Sequence, residues 1–556
     1  MTKKLFLLPL AAATTAMAAQ KPNIVVLFAD DISAREFPIY NSSVWTGVKD
    51  QSTSDPSCRA FTPVMNQLAE EGCYIKTAWA CSVSSPSRAQ MMTGRFAYQT
   101  KWWHNADQGT YLNAEGKQEG YPLYESSPMM IGRVAQEAGY GTYWCGKTQM
   151  AHTDLIEKYG FDEGCYTPGD LSLRPQYTDF YMDKVKGGGY VVKDSGLHTD
   201  GINSTSYYWM PSVVLVNDPN NTEKVEAYPN TPESKAKWGL NSYSADIEQE
   251  FAINFMRRKH DEKKPFFIYH TAHLGHGQYN FLNPTTECNY PPTPKIEWDG
   301  KSYTRFEPNI TGDKGVYDLH DSVSEEGIHS HINYIDFVVW RYLEEFKRLG
   351  IEDNTVLIIC ADNGTFKYGK GSVECQKGAH IPMIFYAPCL KMTKQGEQDV
   401  LMNVADVLPT VAQIAGCKLQ SDYKLDGESI LPFLTTKKSS HRDWLYSYRS
   451  ALQLIRGTKV LKDGYGIWYD VTSNPKDLIS YRVIEDWSKE PAELRKEKEY
   501  LESILPQFDL YETQRNGPGG EGGPSSKKAL DSQKLLDKKD QVIAKAKAAY
   551  EKESKK

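Results

Sequence analysis

Four short apolar runs in this chain each end in a cluster of reactive side chains, and that arrangement constrains the fold more than any other feature. Ile24-Val-Val-Leu-Phe-Ala29 leads into Asp30-Asp31, and Thr142-Tyr-Trp-Cys145 leads through Gly146 to Lys147. Pro265-Phe-Phe-Ile-Tyr269 leads into a loop carrying His270, His273 and His276, and Thr355-Val-Leu-Ile-Ile-Cys-Ala361 leads into Asp362-Asn363-Gly364. Near-continuous apolar runs of this length are the mark of strands buried on both faces. Helical patterns lie between them, over Pro63–Glu71, Ile131–Ala138 and Ile332–Arg348. The alternation predicts an α/β fold with a large, mostly parallel sheet flanked by helices. Ligands of such sheets bind beyond the carboxyl ends of the strands, so one site can gather all four clusters. Ile381-Pro-Met-Ile-Phe-Tyr386 reads as a further strand of the same sheet.

The side chains at these strand ends suit a hard cation. Asp30, Asp31, Asp362 and Asn363 offer three carboxylates and a carboxamide, which favour Ca²⁺ or Mg²⁺ over a thiolate-seeking metal. A single Asp-Asp pair is more often a cap or a turn. Two oxygen-rich pairs, each behind a buried-strand pattern, favour the metal. Lys147, behind its own apolar run, adds a cation that can hold an anion by charge-assisted hydrogen bonds.

A nucleophile, a helix start and a fixed cation lie together in Ser84-Ser85-Pro86-Ser87-Arg88. Proline suits the first position of a helix, which makes Ser85 the expected N-cap. Ser84 then sits just outside the positive end of the helix, where free N–H groups attract anions. Arg88 supplies a permanently charged fork for an oxyanion.

With Thr93-Gly94-Arg95 closing the run, this segment resembles the signature of the type I sulfatases of the alkaline phosphatase superfamily. The family's first signature residue, Cys or Ser, is oxidised to formylglycine. Here the pattern fits Ser84 and not Cys81, whose +2 and +4 residues are Val83 and Ser85. The resemblance spans roughly residues 22 to 434. It implies an alkaline phosphatase-like fold with a smaller C-terminal α+β subdomain. Asp30, Asp31, Asp362, Asn363 and the Ser84-derived group would ligate Ca²⁺, with Mg²⁺ the less favoured ion. Catalytic roles would fall to Ser84, Arg88, Lys147, Lys370 and His273, the last in a His-Leu-Gly-His motif similar to the family's His-x-Pro-His. Lys377 is a rival to Lys370. The implied reaction is attack on sulfur by the hydrated formylglycine, with His273 and Lys370 protonating the departing alcohol. One departure is Gln149, where the family commonly has a histidine base; glutamine cannot take a proton, and His152 is a nearby substitute. The implied substrate is a sulfate ester on carbohydrate of the glycosaminoglycan or mucin type. The implied partner is a maturation enzyme of the radical type. Trp103, His104, Asn105 and His276 are candidate substrate contacts. A phosphomonoesterase or phosphodiesterase using unmodified Ser84, or a non-catalytic sulfated-glycan binder, would draw on the same residues.

The remainder of the chain sets its context. Net charge is −7 and the isoelectric point about 6.0, which argues against nucleic acid as the principal partner. Residues 1–19 read as a secretory signal: Lys3 and Lys4 precede an apolar run too short to span a bilayer, and Ala16-Met17-Ala18 supplies a cleavage site. The protein is therefore expected to be exported, with no transmembrane segment. Its ten cysteines lack the spacing of a zinc site or a disulfide framework and read as buried thiols. The expected organisation is a catalytic domain over 20–437, a small subdomain over 438–515, and a linker with a Lys-rich tail over 516–556. The tail reads as a solvated helix or a partly disordered segment.

Overall fold

In a computed structural model, the described residues are 21–105, 107–108, 111–112, 118–119, 121–150, 156–167, 243–276, 294–306, 320–323, 325–511 and 533–556, with short strands inside 182–227. The proposed signal, His152, Cys288 and the Gly517–Ser526 linker lie outside them.

The apolar runs fold as their composition requires. In chain order the principal elements are β1 (Asn23–Ala29), α1 (Pro63–Glu71), β2 (Cys73–Trp79), α2 (Ser84–Thr93), α3 (Ile131–Glu137), β3 (Gly141–Lys147), β4 (Glu163–Thr167), α4 (Ser244–Asp261), β5 (Phe266–Thr271), α5 (Ile328–Leu349), β6 (Thr355–Ala361), β7 (Met383–Tyr386), β8 (Gly396–Asn403) and α6 (Val407–Ala415). Every residue of β1, β3, β5 and β6 is buried, because helices cover both faces of the sheet.

These strands belong to one mixed sheet in the order β4-β3-β5-β1-β6-β7-β2-β8. The run from β4 to β6 is parallel throughout. The sequence marks Ile381–Tyr386 as one strand, but Pro382 interrupts it. Proline cannot donate to the ladder, so His380–Ile381 and β7 are separate, and both run antiparallel to β2. Because β7 is also antiparallel to β6, β2 points the same way as the parallel core. The carboxyl ends of β1, β2, β3, β5 and β6 therefore share one edge.

A second sheet, antiparallel, follows: β9 (Leu445–Arg449), β10 (Leu452–Arg456), β11 (Val460–Lys462), β12 (Trp468–Asp470) and β13 (Arg482–Ile484). Helices α7 (Ala492–Ile504) and α8 (Lys539–Glu553) pack on it. The tail is not solvated as its composition suggests. Val542 is buried, and Leu535, Leu536, Ile543 and Ala546 pack with it against the small sheet. Five apolar residues gathered on one side outweigh the charge of the remaining faces once a complementary surface is present. No described helix is long and apolar enough to cross a membrane. The nine described cysteines are free thiols, all buried except Cys389 and Cys417, which are half-buried.

The two sheets are tied by Asp406, which is fully buried. Its Oδ1 accepts from Arg442 Nε at 2.9 Å, and its Oδ2 lies 3.1 Å from His441 Nε2. Backbone N–H groups of Asn403 and Glu428 supply two more bonds at 2.8 Å each. Removing one member of a buried pair strands the other charge, at about 3–5 kcal/mol. Asp406→Ala should therefore shift the urea transition to lower denaturant and open the 436–444 segment to limited proteolysis. An unchanged transition would show that this pair does not secure the join.

Candidate active site

The nucleophile candidate is placed by the start of α2. The helix begins at Ser84 rather than at Pro86, and Val83 before it provides no side-chain cap. Ser85 is thus not the N-cap. The cap comes from another segment: Asn105 Oδ1 accepts the Ser85 N–H at 2.8 Å. Ser85 Oγ accepts in turn from Gln108 and Gln149, at 3.2 and 3.3 Å. Ser84, fully buried, donates to Asn363 Oδ1 at 2.9 Å. One turn further on, Arg88 lies on the same face. Its Nη2 is 2.9 Å from Asp362 Oδ2 and 3.4 Å from Asp30 Oδ1.

Charges of both signs alternate around this point. Lys147, the last residue of β3, donates to Asp30 Oδ2. Lys370 Nζ is 2.6 Å from Asp31 Oδ2. Asn363 Nδ2 donates to Asp31 Oδ1 at 2.8 Å, and the Asp31 N–H donates to Asp362 Oδ1 at 2.9 Å. Asp31 holds φ at 55°, a left-handed conformation that Asp tolerates better than most residues. Lys377 pairs instead with Glu374 at 2.5 Å, so Lys370 is the lysine of the cluster.

Burial works against three carboxylates in one place. It would raise Asp30, but Lys147 and Arg88 outweigh it and hold Asp30 well below the usual carboxylate range. Burial, and then the charge of Asp30, push Asp31 up to about 7. The same two causes raise Asp362. Oxygen atoms of all three lie within 4.8 Å of one another, and Asp30 Oδ1 has no hydrogen-bond partner among the described residues. A divalent cation fits this set: clustered hard carboxylate donors and an unsatisfied buried acceptor. Arg88 Nε and Nη1 are likewise buried without a partner among the described residues, which suits an oxyanion beside Ser84.

The histidines separate. His276 Nε2 lies 3.2 Å from Lys370 Nζ and 3.9 Å from Asp31 Oδ2. It reaches them because Gly275, at φ +101°, lies flat on Asp30; a Cβ there would come within 1.9 Å of the Asp30 carbonyl oxygen. The Gly275 N–H donates to His331 Nδ1 at 3.1 Å, tying the loop to α5. Burial, and then Lys147, push His276 well below the ordinary imidazole range. His273 sits behind, its Nδ1 3.3 Å from Glu248 Oε1 on α4, both side chains buried. His270 bonds Tyr342 Oη at 2.9 Å, and burial lowers it to about 3.

The aromatic candidate does not reach the site. Trp103 is 3% exposed and packs edge-on to Tyr448 and Tyr511. Its ring fills the join between the two sheets and presents no face to a sugar. Half-buried His104 stands next to it on the Trp102–His104 strand, and Asn105 serves as the cap described above. Cys81 is buried, and burial pushes its thiol up to about 12, which leaves it inert.

The family model described as "Sulfatase" matches residues 22–417. The chain belongs to the sulfatase family. The enzyme is thus a sulfuric ester hydrolase of the alkaline phosphatase superfamily, within which the sulfatase family typically uses a metal and a formylglycine. It is 25% identical over 462 residues to the uncharacterized sulfatase YdeN of Escherichia coli, covering 77% of this chain and 69% of that protein. It is 24% identical to the N-acetylglucosamine-6-O-sulfatase of Bacteroides thetaiotaomicron, covering 86% and 84%. The PsFucS1 sulfatase structure from Pseudoalteromonas sp. shares the fold, with a TM-score of 0.60 at 19% identity over 88% and 91% of the two chains.

Sequence patterns give no sign of Glu248, Gly275 or His331, since each acts through a contact between distant segments. The sulfatase's Asp31 yields a pH prediction. Its folded pKa lies above the ~3.9 of an unfolded aspartate. In chelated protein its contribution to stability is full below about pH 4 and lost as pH rises through about 7. A cation needs the ionised form, so binding should release a proton near neutrality. Ca²⁺ affinity measured by calorimetry should fall roughly ten-fold or more between pH 7.5 and 5.5. A flat profile would remove Asp31 from the ligand set.

Proposed function

We propose that this sulfatase is an exported enzyme that removes sulfate from sulfated carbohydrate, with a formylglycine made from Ser84. The observation that carries the reading is the placement of Ser84 Oγ on Asn363, inside the ring formed by Asp30, Asp31, Asp362, Arg88, Lys147 and Lys370. The named N-acetylglucosamine-6-O-sulfatase relative supports a carbohydrate sulfate ester. The signal-like residues 1–19 support export, and serine at the signature position 84 supports an oxygen-independent radical maturase.

Formylglycine, as its hydrate, and the cation would supply an activated oxygen nucleophile and charge compensation. The chain's own groups do the rest. Asp30, Asp31, Asp362 and Asn363 would hold the cation. Arg88 and Lys147 would bind the sulfate oxygens through charged N–H donors. The burial of Ser84 excludes bulk water from the reacting centre.

Leaving-group protonation belongs, in this reading, to the Lys370–His276 pair rather than to His273. His276 meets the cluster, with a 3.2 Å path between its Nε2 and Lys370 Nζ along which a proton can pass. His273, against Glu248, would buttress the loop that carries His276. Gln149, bonded to Ser85, would position the helix start and leaves no base there.

Two measurements test this. Mass spectrometry of the Ser84 peptide from active protein should show a loss of two hydrogens, the conversion of an alcohol to an aldehyde. Co-expression of a radical maturase should raise that fraction and sulfate release together. Full activity in wholly unmodified protein would favour the serine esterase reading instead. Separately, His276→Ala should slow a sugar sulfate by about 10²–10⁴-fold and 4-nitrophenyl sulfate much less, because nitrophenolate departs without a proton. Equal losses on both substrates, at matched formylglycine content, would assign His276 to sulfate binding.

A further inference from the structure

We propose that the cleft between the 367–377 loop and helix α8 is a subsite for further anionic groups of a sulfated glycan chain. The proposal rests on the carbohydrate reading above and deepens it.

The cleft has a volume of about 660 Å³. One wall is the loop that delivers Lys370, whose Nζ already contacts Asp31. The facing wall is α8, through Lys545, Ala549, Lys552 and Lys556. Those positions, spaced by three or four residues, form one face of a helix. Seven cationic side chains line the cleft against four carboxylates. Most of the cations are neutralised locally: Arg35 pairs with Glu36 at 2.9 Å, Lys367 with Asp50 at 2.7 Å, Lys370 with Asp31 at 2.6 Å, Lys377 with Glu374 at 2.5 Å and Lys556 with Glu553 at 2.8 Å, which leaves Lys545 and Lys552 facing Asp477. Lys545 and Lys552 are exposed and have no ion pair among the described residues. Seven residues apart, they stand about 10 Å from each other along the helix.

Helix α8 is held rather than trailing. Val542 is buried against the small sheet, Lys547 pairs with Glu485 at 2.5 Å, and Glu553 Oε1 accepts the Lys476 N–H at 3.2 Å. The two free lysines are therefore presented from a fixed backbone, which lowers the cost of ordering them on a ligand. A cleft lined by surplus charge of one sign also concentrates the opposite charge. A chain with one sulfate among Ser84, Arg88 and Lys147 would continue past Lys370 into this cleft. Its next sulfate or carboxylate would meet Lys545 and Lys552. The helix lies beyond residue 417, where the family match ends, so the catalytic framework does not account for it.

The test uses the full chain and a size-fractionated dextran sulfate hexasaccharide as probe. In Lys545→Ala/Lys552→Ala protein, its Kd by calorimetry should weaken about ten-fold. Lys545→Glu/Lys552→Glu should weaken it further. kcat/KM for 4-nitrophenyl sulfate should stay unchanged in both variants, since an aryl sulfate is too short to reach the cleft. A Kd unchanged by either double variant would overturn the subsite. A parallel loss of aryl-sulfate turnover would also overturn it, by assigning the lysines to the fold. The same titrations in Ser84→Ala protein separate the two proposals. Lysine-dependent binding with no turnover in any wild-type preparation would refute the function and keep the subsite.

Discussion

Buried like charges are the constraint on which the rest of this structure depends. Asp30, Asp31 and Asp362 bring three carboxylates to one place out of water, where each alone would be costly to ionise. The fold offsets this by interleaving Arg88, Lys147 and Lys370 among them. The compensation is uneven. Asp30 has two cations beside it and stays ionised, while Asp31 and Asp362 are raised. The two carboxylates left raised, together with the unbonded Asp30 Oδ1, are the physical basis for a divalent cation here. The incompletely bonded guanidinium of Arg88 is the matching basis for an oxyanion.

The sheet exists in the form it does so that these groups can meet. Asp30, Lys147 and Asp362 come from three strands that are parallel and close in the sheet, so each carboxyl end opens on the same edge. β2 joins them only because two antiparallel pairings in succession restore its direction. That brings the start of α2, and Ser84 with it, to the cluster. The loop after β5 is pressed onto Asp30 by a glycine that no other residue can replace without displacing the backbone. Helix α5 then locks that loop through His331.

Much of this was legible in the sequence because both signals are local. An apolar run that needs burial on both faces announces a central strand, and a polar cluster behind it announces the strand's functional end. Asp30, Asp31, Lys147, Asp362 and Asn363 follow from that logic, while Ser84, Arg88 and Lys370 are marked by the resemblance of their segments to the sulfatases, and all of them meet in the structure. What was not legible depended on contacts between segments. The His-Leu-Gly-His motif points to His273 as the catalytic histidine, whereas the close approach of Gly275 to Asp30 brings His276 to Lys370. Trp103 reads equally as a sugar platform or as packing until Tyr448 and Tyr511 are seen around it. Helix α8 reads as solvated because its apolar stripe is thin, and its partner surface is a sheet that the sequence resolves only as mixed β structure.

The central claim is that the interleaved charges form one site for a cation. Anomalous diffraction from crystals grown with Ca²⁺ tests it most directly. The account predicts one peak between Asp30, Asp31 and Asp362, with metal–oxygen distances of about 2.3–2.6 Å, and Lys370 moved off Asp31 or sharing it. No peak at that position in a crystal saturated with Ca²⁺, with the three carboxylates still bonded only to Arg88, Lys147 and Lys370, would contradict it.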